Sequence, residues 1–245
     1  MPAYSLLSPN AFVGPVDLTP FATAMDVSLS AAVADSTTFG SAGFVTKVVG
    51  LEDSDFNFTV NQDYSPDGVG VLLPSSALGS TYPVTVCPAT GSASGDPAFL
   101  LSGIWTGSNP VGGSTGDLAT DTLPFAGTAP FGRGQLAHPS AARTTTGNGN
   151  VLTLTGPTSG QTLVAHLHVF NVSGTSTPTL TVNVQSAATV GFGSPTTRAT
   201  FTAATAVTSQ RVILAGPVTD GFWRVTWTIS GVMPSFTFAA AIGIY

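Results

Sequence analysis

The chain has 245 residues, of which 7% are charged and 42% are hydrophobic. This apolar content excludes a disordered chain, and so little charge favours a protein whose surface is covered by neighbours. Residues 1–149 hold eleven acidic and three basic side chains, whereas residues 150–245 hold one acidic and three basic ones. We therefore predict two modules, and the acidity of the first excludes the capture of DNA phosphates.

The first module is predicted over residues 1–145, with an N-terminal arm at 1–22 followed mostly by β-strands. Alternating apolar and polar residues predict strands at 24–33 and 56–62. Further strands are predicted at 82–88, 98–107, 117–127 and 131–139. A helix is predicted only within residues 67–79, where Pro74 limits it to one or two turns.

The charges of the chain are concentrated in "KVVGLEDSDFNFTVNQD". We predict that residues 40–56 form a loop between neighbouring subunits, with a turn at Glu52–Asp55 that leads into the strand at 56–62. Charges in an otherwise nearly neutral chain suit a fixed register between copies. The predicted contact residues are Lys47, Glu52, Asp53 and Asp55.

A polar segment at residues 140–150 separates the modules. The second module, predicted over residues 146–245, contains seven short β-branched or aromatic segments bounded by turn residues, which is typical of an antiparallel β-sandwich, Ig-like or jelly-roll-like. In "FWRVTWTI", one face of a strand carries Trp223, Val225 and Trp227. The predicted fold class is all-β.

Asp53, Asp55 and Asn57 have the spacing of the first three ligands of a calcium loop. However, Phe58 stands where that loop needs Gly, and Tyr64 stands where it needs Glu. The pattern therefore predicts an acidic turn and no metal site.

His166 and His168 share one face of a predicted strand, and two imidazoles could begin a metal site. No third ligand is near in sequence, so we expect both on a solvent-exposed face. Asp117 and Asp121 could act as an acid–base pair but lack a His or Lys partner. No nucleophile or phosphate-loop motif is present, and we predict no enzyme activity and no cofactor.

Cys87 is the only cysteine, so no internal disulfide bond can form, and its apolar strand predicts a buried, inert thiol. The N-terminus lacks a basic segment followed by an apolar run, so no signal peptide is predicted. No run of about 18 apolar residues occurs, and we predict no membrane partner.

The order of several motifs resembles the major tail (tail tube) proteins of long-tailed bacteriophages, especially those of actinobacterial phages. The resemblance covers most of residues 20–140, with Lys47 and Asp63 at family-like positions. It is carried by "DVSLSAAVADSTTFGS", "GLEDSDFNFTVNQD", "YPVTVCP", "AFLLSGIWTG", "GDLATDTLPFAG" and "FGRGQLAHP". The family often has a clear helix after the position of Asp63, which Pro66 and Pro74 disfavour here. Residues 150–245 look like the additional β-sandwich that some of these proteins carry.

The resemblance implies a structural virion protein with a β-sandwich or barrel module that forms hexameric rings. Such rings stack into a tube through which DNA passes without specific binding. The implied location is the virion tail, assembled in the host cytoplasm. The implied partners are copies of the same chain and other tail proteins, such as the tape measure and terminator proteins.

An acidic bore would repel DNA phosphates. We predict that an unassigned subset of the acidic residues lines it: Asp17, Asp26, Asp35, Glu52, Asp53, Asp55, Asp63, Asp67, Asp96, Asp117 and Asp121. The second module is predicted on the tube exterior, where it would pack against neighbours or bind host-surface glycan. Alternative functions are a capsid decoration or neck protein, and a glycan-binding module of a tail fibre.

Overall fold

The computed structural model of the protein describes residues 9–41, 43–74, 77–89, 93–111 and 114–245. The first eight residues of the predicted arm at 1–22 lie outside the described residues. The described part forms fourteen β-strands, all in antiparallel pairs, and one four-residue helix, α1 (Val69–Leu72). The all-β fold and the short helix are confirmed.

The strands are β1 (Asn10–Val13), β2 (Val16–Asp17), β3 (Ala22–Asp35), β4 (Lys47–Asn61), β5 (Thr81–Cys87), β6 (Pro97–Trp105), β7 (Thr120–Gly127), β8 (Gly132–Arg143), β9 (Gly147–Asn148), β10 (Leu152–Thr153), β11 (Thr162–Ala187), β12 (Thr196–Thr200), β13 (Thr208–Ala215) and β14 (Phe222–Ile244). One path of paired strands runs β12–β11–β14–β8–β6–β5–β1–β2. β7 joins this path through β6, and β4 and β3 follow β7. The described sheet stays open, so the barrel alternative for the tube module is not the observed one.

The first core lies between the β1–β5–β6 layer and the β4–β7 layer. Along β4, Phe56, Phe58 and Val60 are all buried, as their period-two spacing predicts. The rings of Phe56 and Phe125 stack with their centroids 5.1 Å apart. The predicted strand at 56–62 is therefore the core-facing part of β4.

The β1–β5–β6 layer is buried on both faces. Val84 of β5 points into the first core, whereas the next residue, Thr85, points the opposite way and is also fully buried. Behind this layer lies a second, smaller core, which joins the two predicted modules. Its buried members are Phe12, Cys87, Ala98, Leu100, Leu136, Val164, Ala239 and Ala241.

β11 and β14 form a long two-stranded ribbon that doubles back on itself. The sequence predicted two strands in each, and the structure joins each pair through irregular pairing around Ser173–Thr179. Gly174 and Gly231 at this bend have φ values of 126° and 118°, which glycine tolerates readily. Both halves of the ribbon therefore contribute to one third core, which includes Leu163, Leu167, Leu180, Val182, Trp223, Trp227, Phe236 and Phe238.

The second half of β14 pairs with β8, so sheet hydrogen bonds cross the predicted boundary at 140–150. The division into modules at 1–145 and 146–245 stays a prediction. Removal of residues 150–245 would take away this partner of β8 and uncover the second core. Such a truncation is therefore not a clean test of whether the modules act separately.

Candidate assembly interface

β3 and β4 form a hairpin whose far half has no third strand beside it. β7 pairs with β4 only as far as Asp55, which lies opposite Ala126. Residues 29–54 extend beyond that point as a two-stranded ribbon, whose strands are joined by residues 36–41 and 43–46 in the described part. From here on this ribbon is called the arm; it is distinct from the predicted N-terminal segment at 1–22.

The predicted loop at 40–56 with a turn at Glu52–Asp55 is therefore wrong for residues 47–56, because β4 begins at Lys47 and includes them. Residues 40, 41 and 43–46 lie outside the strands, and a place between subunits stays a prediction.

A β-bulge explains how β4 continues through Gly50 and the acidic residues. The register shifts between Ala31 and Val33, so that Gly50 and Leu51 together face Ala32. A bulge absorbs one extra residue in a ladder, and glycine is common there. Gly50 therefore lies at this irregularity within the strand.

Large apolar side chains on the arm are exposed to solvent. Leu51 is 86% exposed and Phe44 is 77% exposed. The other exposed members are Leu29, Val33, Phe39, Val45, Val48 and Val49. Clustered apolar exposure marks interaction sites on soluble proteins, so the arm is the candidate interface.

The edge of β3 is also open. Among the described strands, β3 pairs only with β4, although it is 14 residues long. It contains no Lys or Pro, which natural proteins place on edge strands to prevent pairing with other chains. Its backbone donors and acceptors can therefore pair with a strand of another subunit.

The four predicted contact residues all lie on β4 and are exposed, but they do not share one face. Lys47 is at the far end of the arm. The pleat places Glu52 on the same side as Phe56, which faces the first core farther along the strand. Asp53 and Asp55 point to the opposite side.

That opposite side is acidic. Asp26 lies opposite Asn57 in the β3–β4 ladder, on the same face as Asp53 and Asp55. Lys47 is the only basic residue of β3, β4 and β7, and it lies at the far end of the arm. The outer face of this layer is therefore negatively charged.

Asp121 is 3% exposed and anchors the chain that follows β6. Its carboxylate accepts hydrogen bonds from the backbone N–H groups of Thr122 (2.7 Å) and Asn109 (2.5 Å), and from the side chains of Gln62 and Ser108. Because Asp121 is buried, its carboxylate cannot face a bore. Of the remaining candidates, Asp17, Asp63 and Asp96 are half-buried, and Asp35, Asp67 and Asp117 are exposed.

A groove of ≈ 840 Å³ opens where the arm leaves the body. Leu29, Ala31 and Glu52 line the arm side. The body side is formed by residues 127–131 and Tyr245. Asp53 belongs to the lining as well, so the groove combines apolar side chains with two acidic residues on the arm side.

His166 and His168 are fully buried, so the prediction of a solvent-exposed face is wrong. The Nδ1 atom of His168 donates to the carbonyl oxygen of Gly14 (2.7 Å), which leaves its Nε2 atom to accept from the Thr85 hydroxyl (2.9 Å). The same hydroxyl lies 3.1 Å from Nδ1 of His166. The strand alternation was predicted correctly, but both faces of this strand are covered.

The only cysteine, Cys87, is buried. Burial, and secondly the charge of Asp96, raise the pKa of Cys87 to about 12, so its thiol stays protonated and inert. No group of three or more His, Cys, Asp or Glu side chains comes together among the described residues to hold a metal ion. No helix in the same residues has the length and apolarity needed to cross a bilayer.

Several solved chains align with this one. A chain of the virion of a native gene transfer agent particle has a TM-score of 0.38 and 16% identity, over 49% of this chain and 92% of that one. The Dit protein of SPP1, described as a paradigm of the hub adsorption apparatus in phages that infect Gram-positive bacteria, has a TM-score of 0.34 and 12% identity, over 97% and 99%. No protein-family model matches the sequence, and no curated protein matches it. TM-scores this low do not establish a common fold between this chain and either structure.

Proposed function

We propose that the protein is a structural subunit of a bacteriophage tail that assembles with copies of itself into stacked hexameric rings, and that these rings form a tube for DNA. The observation that carries this proposal is the overhanging arm. An apolar ribbon with an open strand edge is unfavourable in water and is stabilised when another chain covers it. The tail role and the sixfold symmetry come from the sequence resemblance over residues 20–140.

The charge distribution supports the same function. A tube wall must let DNA slide, and a negative surface repels phosphates. The outer face of the β3–β4–β7 layer, with Asp26, Asp53 and Asp55, suits the bore. The three arginines of residues 150–245 would attract phosphates, which favours a place outside the tube for the second module.

The partners that follow are other copies of this chain along the tube and other tail proteins at its ends, such as the tape measure and terminator proteins. The site of action is the virion. The role of the second module stays open between packing against neighbouring subunits and contact with host-surface glycan.

The experiment compares the purified protein with an arm-shortened variant by sedimentation velocity and negative-stain electron microscopy. Ser30 and Asp53 are Cα partners, so residues 31–52 can be replaced by an Asn-Gly turn that closes the shortened hairpin. We expect rings or tubes from the wild type. The variant should give folded monomers whose circular dichroism spectrum still shows mainly β-structure.

A matched control replaces exposed apolar residues outside the arm, Val207→Thr with Ile213→Thr, and should assemble normally. Two outcomes would overturn the proposal. One is a wild type that remains monomeric at every concentration, and the other is equal assembly of the arm-shortened variant. Trimers would favour the decoration or tail-fibre alternatives.

A further inference from the structure

We propose that the end of the arm of one subunit docks in the groove at the base of the arm of the next subunit, with Lys47 of the first facing Glu52 of the second. This inference rests on the proposed self-assembly and names the two surfaces that meet. The contact joins two different patches of the same chain, which makes it head-to-tail. Such contacts close into rings or continue as filaments.

Lys47 has no ionic partner among the described residues of its own subunit. The only salt bridge among the described residues joins Arg198 and Asp220. Asp35 lies opposite Lys47 in the ladder, but the two side chains form no salt bridge, and one carboxylate oxygen of Asp35 accepts from the backbone N–H (2.8 Å) and the hydroxyl (2.5 Å) of Thr37. The single lysine of the chain is therefore available at the end of the arm.

Lys47 and Glu52 are too far apart along β4 to contact each other within one subunit. Five residues of β-strand span roughly 16 Å, which is farther than a lysine side chain reaches. The two opposite charges cannot meet within one arm. They meet when the end of one arm lies at the base of another, and opposite charges that are brought together on association fix the register of a contact.

The end of the arm and the groove both present apolar side chains. Beside Lys47, the end of the arm presents Phe44 and Val45, both exposed. The groove offers Leu29 and Ala31 on one side and Phe131 on the other. Docking would thus remove apolar surface of both partners from water, which is the main favourable term in most protein associations.

A positive charge next to the groove favours one orientation of the inserted arm. The guanidinium of Arg133 is outside the lining but lies 5.6 Å from the centroid of the ring of Phe131, which lines the body side. An incoming lysine is repelled from that side and attracted to Glu52 on the arm side. The two walls therefore favour a single way of inserting the end of the arm.

A charge-swap series tests the ionic contact. Lys47→Glu and Glu52→Lys should each raise the protein concentration needed for assembly on the order of tenfold to a hundredfold, because like charges then meet. The variant with both substitutions carries the exchanged pair on every subunit and should recover assembly. Asp67→Lys, an exposed acid outside the groove, controls for net charge and should behave as the wild type.

Disulfide trapping tests the geometry, because the native Cys87 is buried and does not interfere. Phe44→Cys and Ala129→Cys in separate chains should cross-link only when the two proteins are mixed, and should give dimers. Both substitutions in one chain should give a ladder of multimers under mild oxidation. Each single variant alone should stay uncross-linked.

The outcomes separate the two proposals. Normal wild-type rings or tubes without cross-linking, or without recovery in the double charge swap, overturn the groove contact and leave the proposed function standing. A wild type that does not assemble overturns both. A ladder together with recovery supports the head-to-tail contact.

Discussion

The Nδ1 atom of His168 lies 2.7 Å from the carbonyl oxygen of Gly14, a residue 154 positions earlier in the chain. This hydrogen bond ties a strand of the second predicted module to the turn between β1 and β2 of the first. Thr85 extends the link to His166. The network needs neutral imidazoles, because the Nε2 atom of His168 accepts a hydrogen bond and the Nε2 atom of His166 has no partner among the described residues.

The first prediction is that acid weakens the fold through this network. Burial lowers the pKa of His168 to about 4, and burial, followed by the charges of His168 and Arg211, lowers that of His166 well below 6.5. The unfolded chain binds these protons near pH 6.5, so the folded state binds fewer protons between about pH 6.5 and 4. Stability is therefore fully present above pH 6.5 and falls as the pH drops toward 4.

Thermal melts between pH 7 and pH 4.5 check this prediction. The wild-type Tm should fall with pH, and the variant His166→Asn with His168→Gln should show a smaller fall even if its Tm at pH 7 is lower. The control is Val207→Thr with Ile213→Thr, which changes no titratable group and should keep the wild-type fall. His138 is a third buried histidine whose pKa burial lowers to about 4, so it is kept in every protein compared. An unchanged pH slope in the double histidine variant would contradict the assignment.

Sequence patterns correctly predicted which residues face the core in strands that bury one face and expose the other. The alternation of Trp223, Val225 and Trp227 was predicted and is confirmed. The same reasoning failed for His166 and His168, because polar residues were assumed to mark a solvent face. A strand with both faces covered hides its polar residues, and no local pattern signals that a distant hydroxyl will satisfy them.

The arm shows a second limit of local patterns. The acidic residues Glu52, Asp53 and Asp55 come before an alternating segment, and this pattern predicts an acidic turn at Glu52–Asp55. Asp in particular is disfavoured in strands. Pairing with β3 overrides this preference, and the bulge opposite Ala32 absorbs the extra residue. The apolar residues at 44–51 could have indicated an interface, but exposure is a property of the fold and cannot be read from composition.

A second prediction separates core phenylalanines from arm phenylalanines. Phe58 is completely buried in the first core, whereas Phe44 is largely exposed. Phe58→Ala should lower the free energy of unfolding by about 3–5 kcal/mol, since a cavity remains. Phe44→Ala should leave unfolding of the isolated subunit nearly unchanged and weaken assembly. Urea unfolding of dilute protein, together with sedimentation, would distinguish the two, and a strongly destabilised Phe44→Ala monomer would show that the arm packs on its own body.

A third prediction concerns the anchor at Asp121. Asp121→Asn keeps an acceptor oxygen for the N–H groups of Asn109 and Thr122. It places a donor amide against the side chains of Gln62 and Ser108, which donate to the other oxygen. The expected loss is about 1–3 kcal/mol of stability, typical of a buried hydrogen-bond mismatch, with faster proteolysis within residues 106–119. Asp117→Asn, at an exposed residue, is the control. Equal proteolysis of both variants would mean that the network does not hold this segment.

The last prediction follows from the pleat of β4, which puts Glu52 on one side of the strand and Asp55 on the other. Reversal of Glu52 should disturb assembly, as argued above. Reversal on the outer face, Asp26→Lys with Asp55→Lys, should leave assembly intact and convert the proposed bore from repelling to binding DNA. Assembled particles of this variant should bind short duplex DNA in fluorescence anisotropy at low salt and release it as salt rises, because counterions compete for the phosphates. Wild-type particles should not bind it. The decisive control makes the same change in charge at four exposed residues of the second module, Ser159→Lys, Thr189→Lys, Ser194→Lys and Thr205→Lys. If that variant binds DNA equally well, the gain in DNA binding reflects net charge alone, and the proposal that the β3–β4–β7 layer lines the bore is wrong.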